Sequence, residues 1–594
     1  MLSTVKISCD LCVVGGGIAG MLAAISAARE GAKVVLMHER PVLGGNASSE
    51  IRMWICGAKG KYNRETGILE EIALENLRRN PTKNYHLWDT VLYEFVRREE
   101  NITLLLNCTC MDAETEEGEF AHGRTRRIRS VRGYQMTTQR FYEIEAKFFC
   151  DSSGDSILAP LCGAEFRLGR EAAAEFGEES TTVEADSMTL GMSCLIQGRE
   201  TTRPVKFTAP AWAKRLTREE GNNRRPSMES ESENFWYLEL GGDRDTIGDT
   251  ETLRDELVPL ALGMWDFVKN SGDYKAENWE LEFLGFLPGK RESRRMMGEY
   301  LITQRDISDG RVFADEIAFG GWPLDDHYPG GFYHRGRANT NVQTPAPYSI
   351  PYRALYSKNV DNLFFAGRNI SMTHMAMSSV RVMATCGLLG EAVGRAAAIA
   401  ARENIAPHDV YLSHMEELQQ SLLQGDCFLP SKKRAVGALC RAAKLSGGDD
   451  RLRSGEDRPH AIYGTDRCSA ACAVPCGGEL SYTFPEGRVG RVHITFDSDL
   501  ERESLPGGSC ERTHCTRANV FLNSPVMHMP PSLCRAFRLE GELGGVRTLL
   551  AEEGENCRRA WDIPVDAPFE RLILTPLSNW GGEETVAVLS FDFN

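Results

Sequence analysis

Gly15, Gly17 and Gly20 stand in a G-x-G-x-x-G spacing, and Glu39 follows Gly20 by nineteen positions. Those residue types in that order suit a dinucleotide. Gly15 permits a tight strand-to-helix turn, Gly17 lets the backbone approach a pyrophosphate, and Gly20 lets helix and strand pack closely. Ile18 and Ala19 open a helix whose unpaired N–H groups and positive dipole end face the phosphates. Glu39 accepts hydrogen bonds from both ribose hydroxyls of an adenosine, with Arg40 beside it. In "RPVLGGNASSE", Gly44 and Gly45 make a tight loop with Asn46 and Ser48 as polar neighbours.

The surrounding elements must hold these residues at one edge of a sheet. Ile7 to Val14 is an apolar run suited to a buried parallel strand. "IAGMLAAISAARE" reads as a helix, Gly31 sits where its C-cap belongs, and "KVVLMHE" reads as a second strand. Two later strands end in similar turns, one at Ser153-Gly154-Asp155 and one at Ala366-Gly367-Arg368. A long Ala- and Gly-rich helix follows, with its start expected at Ser378 to Val380, so that Ser379 lies in its first turn.

The runs "GGNASSEIRMW", "PGKRESRRMMGEY" and "FAGRNISMTHMAMSSVRVMATCGLLGEAVG" resemble those of the FAD-dependent oxidoreductases, within the glutathione-reductase-like flavoprotein superfamily. The resemblance runs from about Val5 to Glu403. It implies FAD as cofactor, and it adds Gly154, Asp155, Gly367, Arg368, Asn369 and Ser379 to the expected contacts. Many relatives in the superfamily carry an Asp after the late Ala-Gly, where it holds the ribityl chain. Here Arg368-Asn369 stands instead, with Arg368 expected toward the pyrophosphate and Asn369 toward the ribityl. The N-terminal dipole of the late helix would stabilise the anion that develops at N1 and C2=O of the reduced flavin.

Four residues are candidates for the chemistry. His374, in "SMTHMAMSS", is the expected general base or proton donor beside the flavin. His327, in "GGWPLDDHYPGGFYHRGR", could reach over from the segment inserted between the FAD motifs; Trp322, Asp325, Asp326 and His334 share its loop. Arg294 belongs to a cluster with Arg291, Arg295 and Glu292, and guanidinium forks suit carboxylate or phosphate. An ion-pair network is the alternative for that cluster. Arg52 could bind substrate or the flavin phosphate. Cys56 has no nearby cysteine, which argues against dithiol chemistry.

The expected fold class is α/β: a Rossmann-like FAD-binding domain from residues 1–165 and 346–403, with an inserted α+β substrate domain at 166–345. A helical linker at 404–456 and a C-terminal antiparallel β-sandwich at 457–594 follow, the sandwich loosely resembling galactose-binding modules. Sugar binding, a structural role and homo-oligomer formation stay open for it. The chain has 594 residues, a net charge of -16 and 42% hydrophobic residues. The acidic balance argues against a nucleic-acid partner. No signal peptide or apolar membrane span is evident, so a cytoplasmic location is expected. Cys468, Cys472 and Cys476 fit no common metal spacing, and no metal is expected. There is no second Rossmann fingerprint, so the electron donor or acceptor stays open.

Together these features predict an FAD-dependent oxidoreductase that passes a hydride between FAD and a small polar substrate, a sugar or other hydroxylated compound first. Reduction of an unsaturated carboxylate, as in fumarate-reductase-like flavoproteins, is the second reading. A flavoprotein acting on a macromolecule, as in tRNA modification, is the third.

Overall fold

The computed structural model describes residues 2–231, 233–462, 465–467, 471–502 and 517–594. The chain divides into two compact units. The first is Met1–Ala58, Thr82–Met415 and Glu503–Pro525; the second is Lys59–Pro81, Glu416–Arg502 and Val526–Asn594.

In the first unit, β1 (Thr4–Val14), α1 (Ile18–Arg29) and β2 (Val34–Met37) form a parallel β-α-β turn. The end of β1 is apolar and buried from Leu11 to Val14, as a strand covered on both faces must be. After the excursion that carries α2 (Ile68–Arg79) come α3 (Tyr85–Arg97), β3 (Ile102–Leu105), β4 (Cys108–Glu117), β5 (Arg126–Gln135) and β6 (Arg140–Asp151). The insertion contributes β7 (Ile196–Glu200), α4 (Thr250–Asn270) and β8 (Trp279–Leu284), before β9 (Leu363–Phe365), α5 (His374–Val380) and α6 (Met383–Glu403) close the unit.

The main sheet runs β3-β2-β1-β6-β5-β4, and β9 pairs with β6. β1 is parallel to β2 and β6, and β9 is parallel to β6; β5 is antiparallel to β4 and β6. The register is level at one edge. Val14 lies opposite Met37 and Asp151, and Asp151 opposite Phe365. The turns after β1, β2, β6 and β9 therefore emerge together at the carboxyl edge of the parallel strands, where open α/β sheets bind ligands. α1 packs on α6, and Ser26 Oγ donates to Glu391 O at 3.0 Å. By length and composition α6 could cross a bilayer, but 89% of that window is buried inside the fold.

Within the insertion, β7 and β8 pair antiparallel, and α4 packs Leu253, Leu257 and Trp265 into an apolar core with Phe235 and Trp279. Short strands at 192–193, 239–240 and 289–290 form a second small sheet.

The second unit is an antiparallel sheet. In chain order its long strands are β10 (Leu480–Phe496), β11 (Cys534–Leu543), β12 (Val546–Glu553), β13 (Ala560–Asn579) and β14 (Thr585–Phe593). Cys472–Pro475 leads the sheet, followed by β14, β10, β13, β11 and β12. Bulges interrupt the β10–β13 register between Thr483 and Gly487 and between Val489 and Arg491. The strands join in one hydrogen-bonded order, and their buried side chains share one apolar core.

Three boundaries differ from the sequence expectation. α2 lies in the second unit: Leu74 enters the core there, Glu70 accepts from Ser498 Oγ at 3.0 Å, and Cys557 Sγ donates to Glu75 at 2.8 Å. The expected helical linker carries helices but is divided between the units after Met415, and Lys444–Ser446 pairs with β10. The long helix begins at Met383, after a break at Arg381–Val382 that separates it from α5. Of the three cysteines considered for a metal, Cys468 lies outside the described residues.

Candidate functional site

The glycine turn is shaped by close backbone approaches. Gly15 has φ +108, and a Cβ there would stand 2.3 Å from Ser152 O. A Cβ on Gly20 would stand 1.9 Å from Gly15 O. Gly17 is different: a Cβ there would meet nothing nearer than Gly45 Cα at 3.9 Å, so its exposed side is open to a ligand. Gly17 caps α1 in extended conformation, ahead of Ile18 and Ala19, with no side chain occupying the helix end. Gly44 N donates to Gly16 O at 2.9 Å and lays the Gly44–Gly45 loop beside the turn.

His38, which the motif reading passed over, supports this turn. Gly16 N–H donates to His38 Nδ1 at 3.0 Å, and His38 Nε2 lies 3.0 Å from Val42 O. A nitrogen that accepts an N–H carries no proton, so the proton sits on Nε2. The Gly16 N–H is thus used internally, and phosphate contacts fall to the turn that follows it.

Glu39 is half-exposed at the end of β2, with Arg40 Nε at 3.4 Å. Burial opposes its charge, and the Arg40 side chain beside it favours the carboxylate, whose pKa lies below the usual range. Arg40 also reaches Gly45 O at 3.4 Å. Two expected contacts are occupied by the protein itself. Ser48 is buried and its hydroxyl donates to Gly45 O at 2.8 Å; Asn46 Nδ2 donates to Lys290 O at 3.0 Å.

After β6, Asp155 accepts from Ser293 Oγ (2.8 Å), Arg368 Nη2 (2.8 Å) and Lys290 Nζ (2.7 Å). Burial works against its charge, yet Arg368 and Lys290 hold it ionised. Gly154, at φ +79, lies against the Arg368 guanidinium. Gly367 ends β9, and the buried Asn369 reaches back to Asp151 Oδ1 at 3.3 Å. Two buried atoms in this turn lack a partner: Arg368 Nε and Asn369 Oδ1. An open face at Gly17, an acidic residue after β2, and an unpaired donor and acceptor after β9 fit FAD, whose pyrophosphate, ribose and ribityl hydroxyls need those groups.

Ser379 and the start of the late helix lie differently from the sequence expectation. Ser379 lies in the last turn of α5, buried, with its hydroxyl bonded to Trp322 O and Tyr348 OH. The first-turn donor of α5, His374 N, goes to Glu171 Oε2 at 2.9 Å, and Ala384 N at the start of α6 goes to Cys56 O at 3.0 Å. These donors are used within the protein.

The two candidate histidines occupy different surroundings. His374 is buried with Nδ1 2.9 Å from Glu292 Oε2 and Nε2 3.0 Å from Asp326 Oδ1. Burial opposes its charge, but Glu292 and Asp326 outweigh it and raise its pKa to about 10. Arg295 lies in the same cluster, bonded to Glu292 and, at 2.8 Å, to Glu171. An imidazolium with both N–H groups donating has no lone pair to accept a proton, so His374 here is a charged structural donor rather than a ready base.

His327 is also buried. Its Nδ1 lies 2.6 Å from Glu239 Oε2, while Nε2 faces Asp325 Oδ2 at 3.5 Å and Arg381 Nη2 at 3.2 Å. Burial opposes its charge, and Glu239 with Asp325 raises its pKa above the ordinary imidazole value. Arg381 pairs with Asp325 at 3.1 Å, and Trp322 Nε1 donates to Asp325 at 3.3 Å.

Of the arginine cluster, Arg295 and Arg291 are turned inward. Arg291 donates to Ser193 Oγ and Trp236 O and lies 3.5 Å from Glu239. Arg294 is half-buried, donating to Asp155 O at 3.2 Å and lying over Phe166. Arg52 stands apart from both histidine clusters, against Gln197, Phe283 and Tyr85.

Compared with known proteins, the chain matches the FAD dependent oxidoreductase family over residues 10–422, more than half its length. No curated protein sequence matches it. Solved structures similar to it include a geranylgeranyl bacteriochlorophyll reductase-like protein from Thermoplasma acidophilum, 10% identical, covering 71% of this chain and 86% of that one at a TM-score of 0.30. The p-nitrophenol 4-monooxygenase PnpA from Pseudomonas putida is 10% identical, covering 72% and 91% at 0.29. A family 32 carbohydrate-binding module from C. perfringens NanJ, in complex with galactose, is 13% identical, covering 26% and 91% at 0.15. The extent of the family match, over a chain whose turns fit the cofactor, places this protein among the FAD-dependent oxidoreductases.

Proposed function

We propose that the protein exchanges a hydride between FAD and a small polar substrate, oxidising a hydroxylated carbon, with His327 as the proton-transfer residue. When bound, FAD supplies the acceptor or donor of that hydride. Arg40, Glu39 and the Gly17 turn would hold its adenosine diphosphate half, and Arg368 and Asn369 the middle of the molecule.

One observation carries the reading. His327 Nε2 faces both a donor, Arg381 Nη2, and an acceptor, Asp325 Oδ2. The protonated ring can turn its Nε2 proton toward Asp325, and the neutral ring can accept from Arg381. Either state finds a partner, as a group that cycles its proton requires. Glu239 fixes the tautomer by accepting from Nδ1. In the oxidation the substrate O–H bond breaks as its proton moves to Nε2, the C–H electron pair leaves as hydride, and the carbonyl forms.

The test is anaerobic mixing of purified holoprotein with sugars and hydroxy acids, following the flavin bands. His327→Gln is expected to keep the bands and slow substrate bleaching by about 10²- to 10⁴-fold. The wild-type rate is expected to climb with pH through a raised imidazole pKa, since only the neutral ring accepts a proton, and to lose that climb in the variant. An unchanged rate in His327→Gln removes the assignment. Bleaching by NADH alone would redirect the reading to reduction of unsaturated acids.

A further inference from the structure

Arg52 is 9% exposed and has no carboxylate within ion-pair distance among the described residues. Its Nε donates to Ser49 O at 3.2 Å and its Nη1 to Gln197 Oε1 at 3.0 Å; its Nη2 has no partner among the described residues. The guanidinium lies over Phe283, 4.1 Å from the ring centroid, with Tyr85 at 4.9 Å. Stacking of this kind fixes the plane and leaves the N–H edge as the group's outlet.

Gln197 stands directly opposite Phe283 across β7 and β8 and is 1% exposed. A guanidinium only donates, so the oxygen of Gln197 must face Arg52. Its Nε2 is then a buried donor with no acceptor. The two unpaired donors, Arg52 Nη2 and Gln197 Nε2, flank one hydrogen bond. Burial also lowers the pKa of Arg52, with Tyr85, Glu282 and Asp89 working in the opposite direction.

The backbone shows that the position is held on purpose. Arg52 adopts φ +65, a conformation costly for a residue with a Cβ. Arg52 N donates to Ser48 O at 2.8 Å, and Tyr85 OH donates to Arg52 O at 2.7 Å, which pin it. Strain of this kind persists only where the surrounding structure over-determines it.

We infer that Arg52 and Gln197 form an anion subsite that takes a carboxylate or phosphate group of the substrate. The inference rests on the oxidation reading for what is done to the rest of that molecule.

The test does not depend on turnover. Holoprotein is titrated with tartrate and with inorganic phosphate at matched ionic strength, following Tm and flavin absorbance. At least one anion is expected to raise Tm beyond the sodium chloride control. In Arg52→Gln and Gln197→Met the anion should bind about 10- to 100-fold more weakly while flavin content stays unchanged. Arg52→Lys, which keeps the charge but loses the fork, should fall between. A response to tartrate alone assigns a carboxylate, and one to phosphate alone assigns a phosphate ester. No response in the wild type, an equal response in the variants, or loss of flavin in step with loss of the response would overturn the subsite. Should no hydroxylated compound bleach the flavin, the oxidation reading fails while this titration still stands by itself.

Discussion

The cofactor turn and the insertion both hold polar groups in fixed positions, by opposite means. At Gly15–Gly20 the backbone does it, and side chains are excluded from positions where a Cβ would strike a carbonyl. Around His327 and His374 side chains do it, through charges paired across long stretches of sequence. Glu292 and His374 are 82 residues apart, Glu239 and His327 are 88 apart. The first kind of site tolerates no added atom where the backbone closes on itself, as at Gly15 and Gly20, and the second tolerates no missing charge.

The largest effect is expected from removing a charge. Glu292 is 1% exposed and holds both His374 and Arg295. Glu292→Gln should destabilise the first unit by about 3–5 kcal/mol, the cost of leaving buried charge uncompensated. Urea unfolding read by tryptophan fluorescence checks it; a loss under about 1 kcal/mol would mean that the cluster relaxes or that water enters. Adding an atom at the turn ranks next. Gly20→Ala places a methyl 1.9 Å from Gly15 O and should cost about 1–3 kcal/mol, in the apoprotein as well as the holoprotein.

The same contrast explains what could be read from the sequence. Gly15, Gly17, Gly20 and Glu39 follow a local rule, so strand, turn and helix appeared where expected, and the family resemblance agreed with them. His38 escaped notice although it precedes Glu39, because the rule looks for the acidic residue and not for what accepts the Gly16 N–H. His374 and His327 were visible as residue types, but their partners were not, since nothing local links position 374 to 292. The start of α6 was hidden for a different reason. Val382 caps it with no side-chain hydrogen bond, leaving no Ser, Thr, Asp or Asn to mark the end. The placement of α2 in the second unit was equally silent: its apolar stripe shows that it packs, not against which sheet.

The charge clusters also predict a pH response that the turn does not. His374 has a folded pKa of about 10 against an unfolded value of about 6.5. A raised pKa means that the folded state binds the extra proton, so the stabilisation is complete below about pH 6.5 and is lost as pH rises through 10. The slope in that window is about 1.4 kcal/mol per pH unit for one proton. The difference in stability between wild type and His374→Gln should shrink from pH 7 to pH 10. A difference constant over that range would show that His374 is not the charged partner of Glu292 and Asp326.

Gly17→Ala should give the smallest effect and separates the two meanings of the turn. Gly17 has φ -67, which alanine adopts freely, and its Cβ would meet only Gly45 Cα at 3.9 Å. Nothing in the protein resists the methyl, so the apoprotein should keep its Tm within about 1 °C, since a strain-free surface change is worth under about 0.5 kcal/mol. A pyrophosphate seated against this backbone would be pushed away, and FAD affinity should fall by about tenfold, or ~1.4 kcal/mol. Reconstituting apoprotein with FAD and following flavin fluorescence gives both numbers. Unchanged affinity would move the phosphates off Gly17 and onto the Arg40 and Arg368 side chains, making this cofactor site charge-built like the insertion. A fall in affinity with Tm intact would show that the open face of Gly17 is reserved for the ligand and not for the fold.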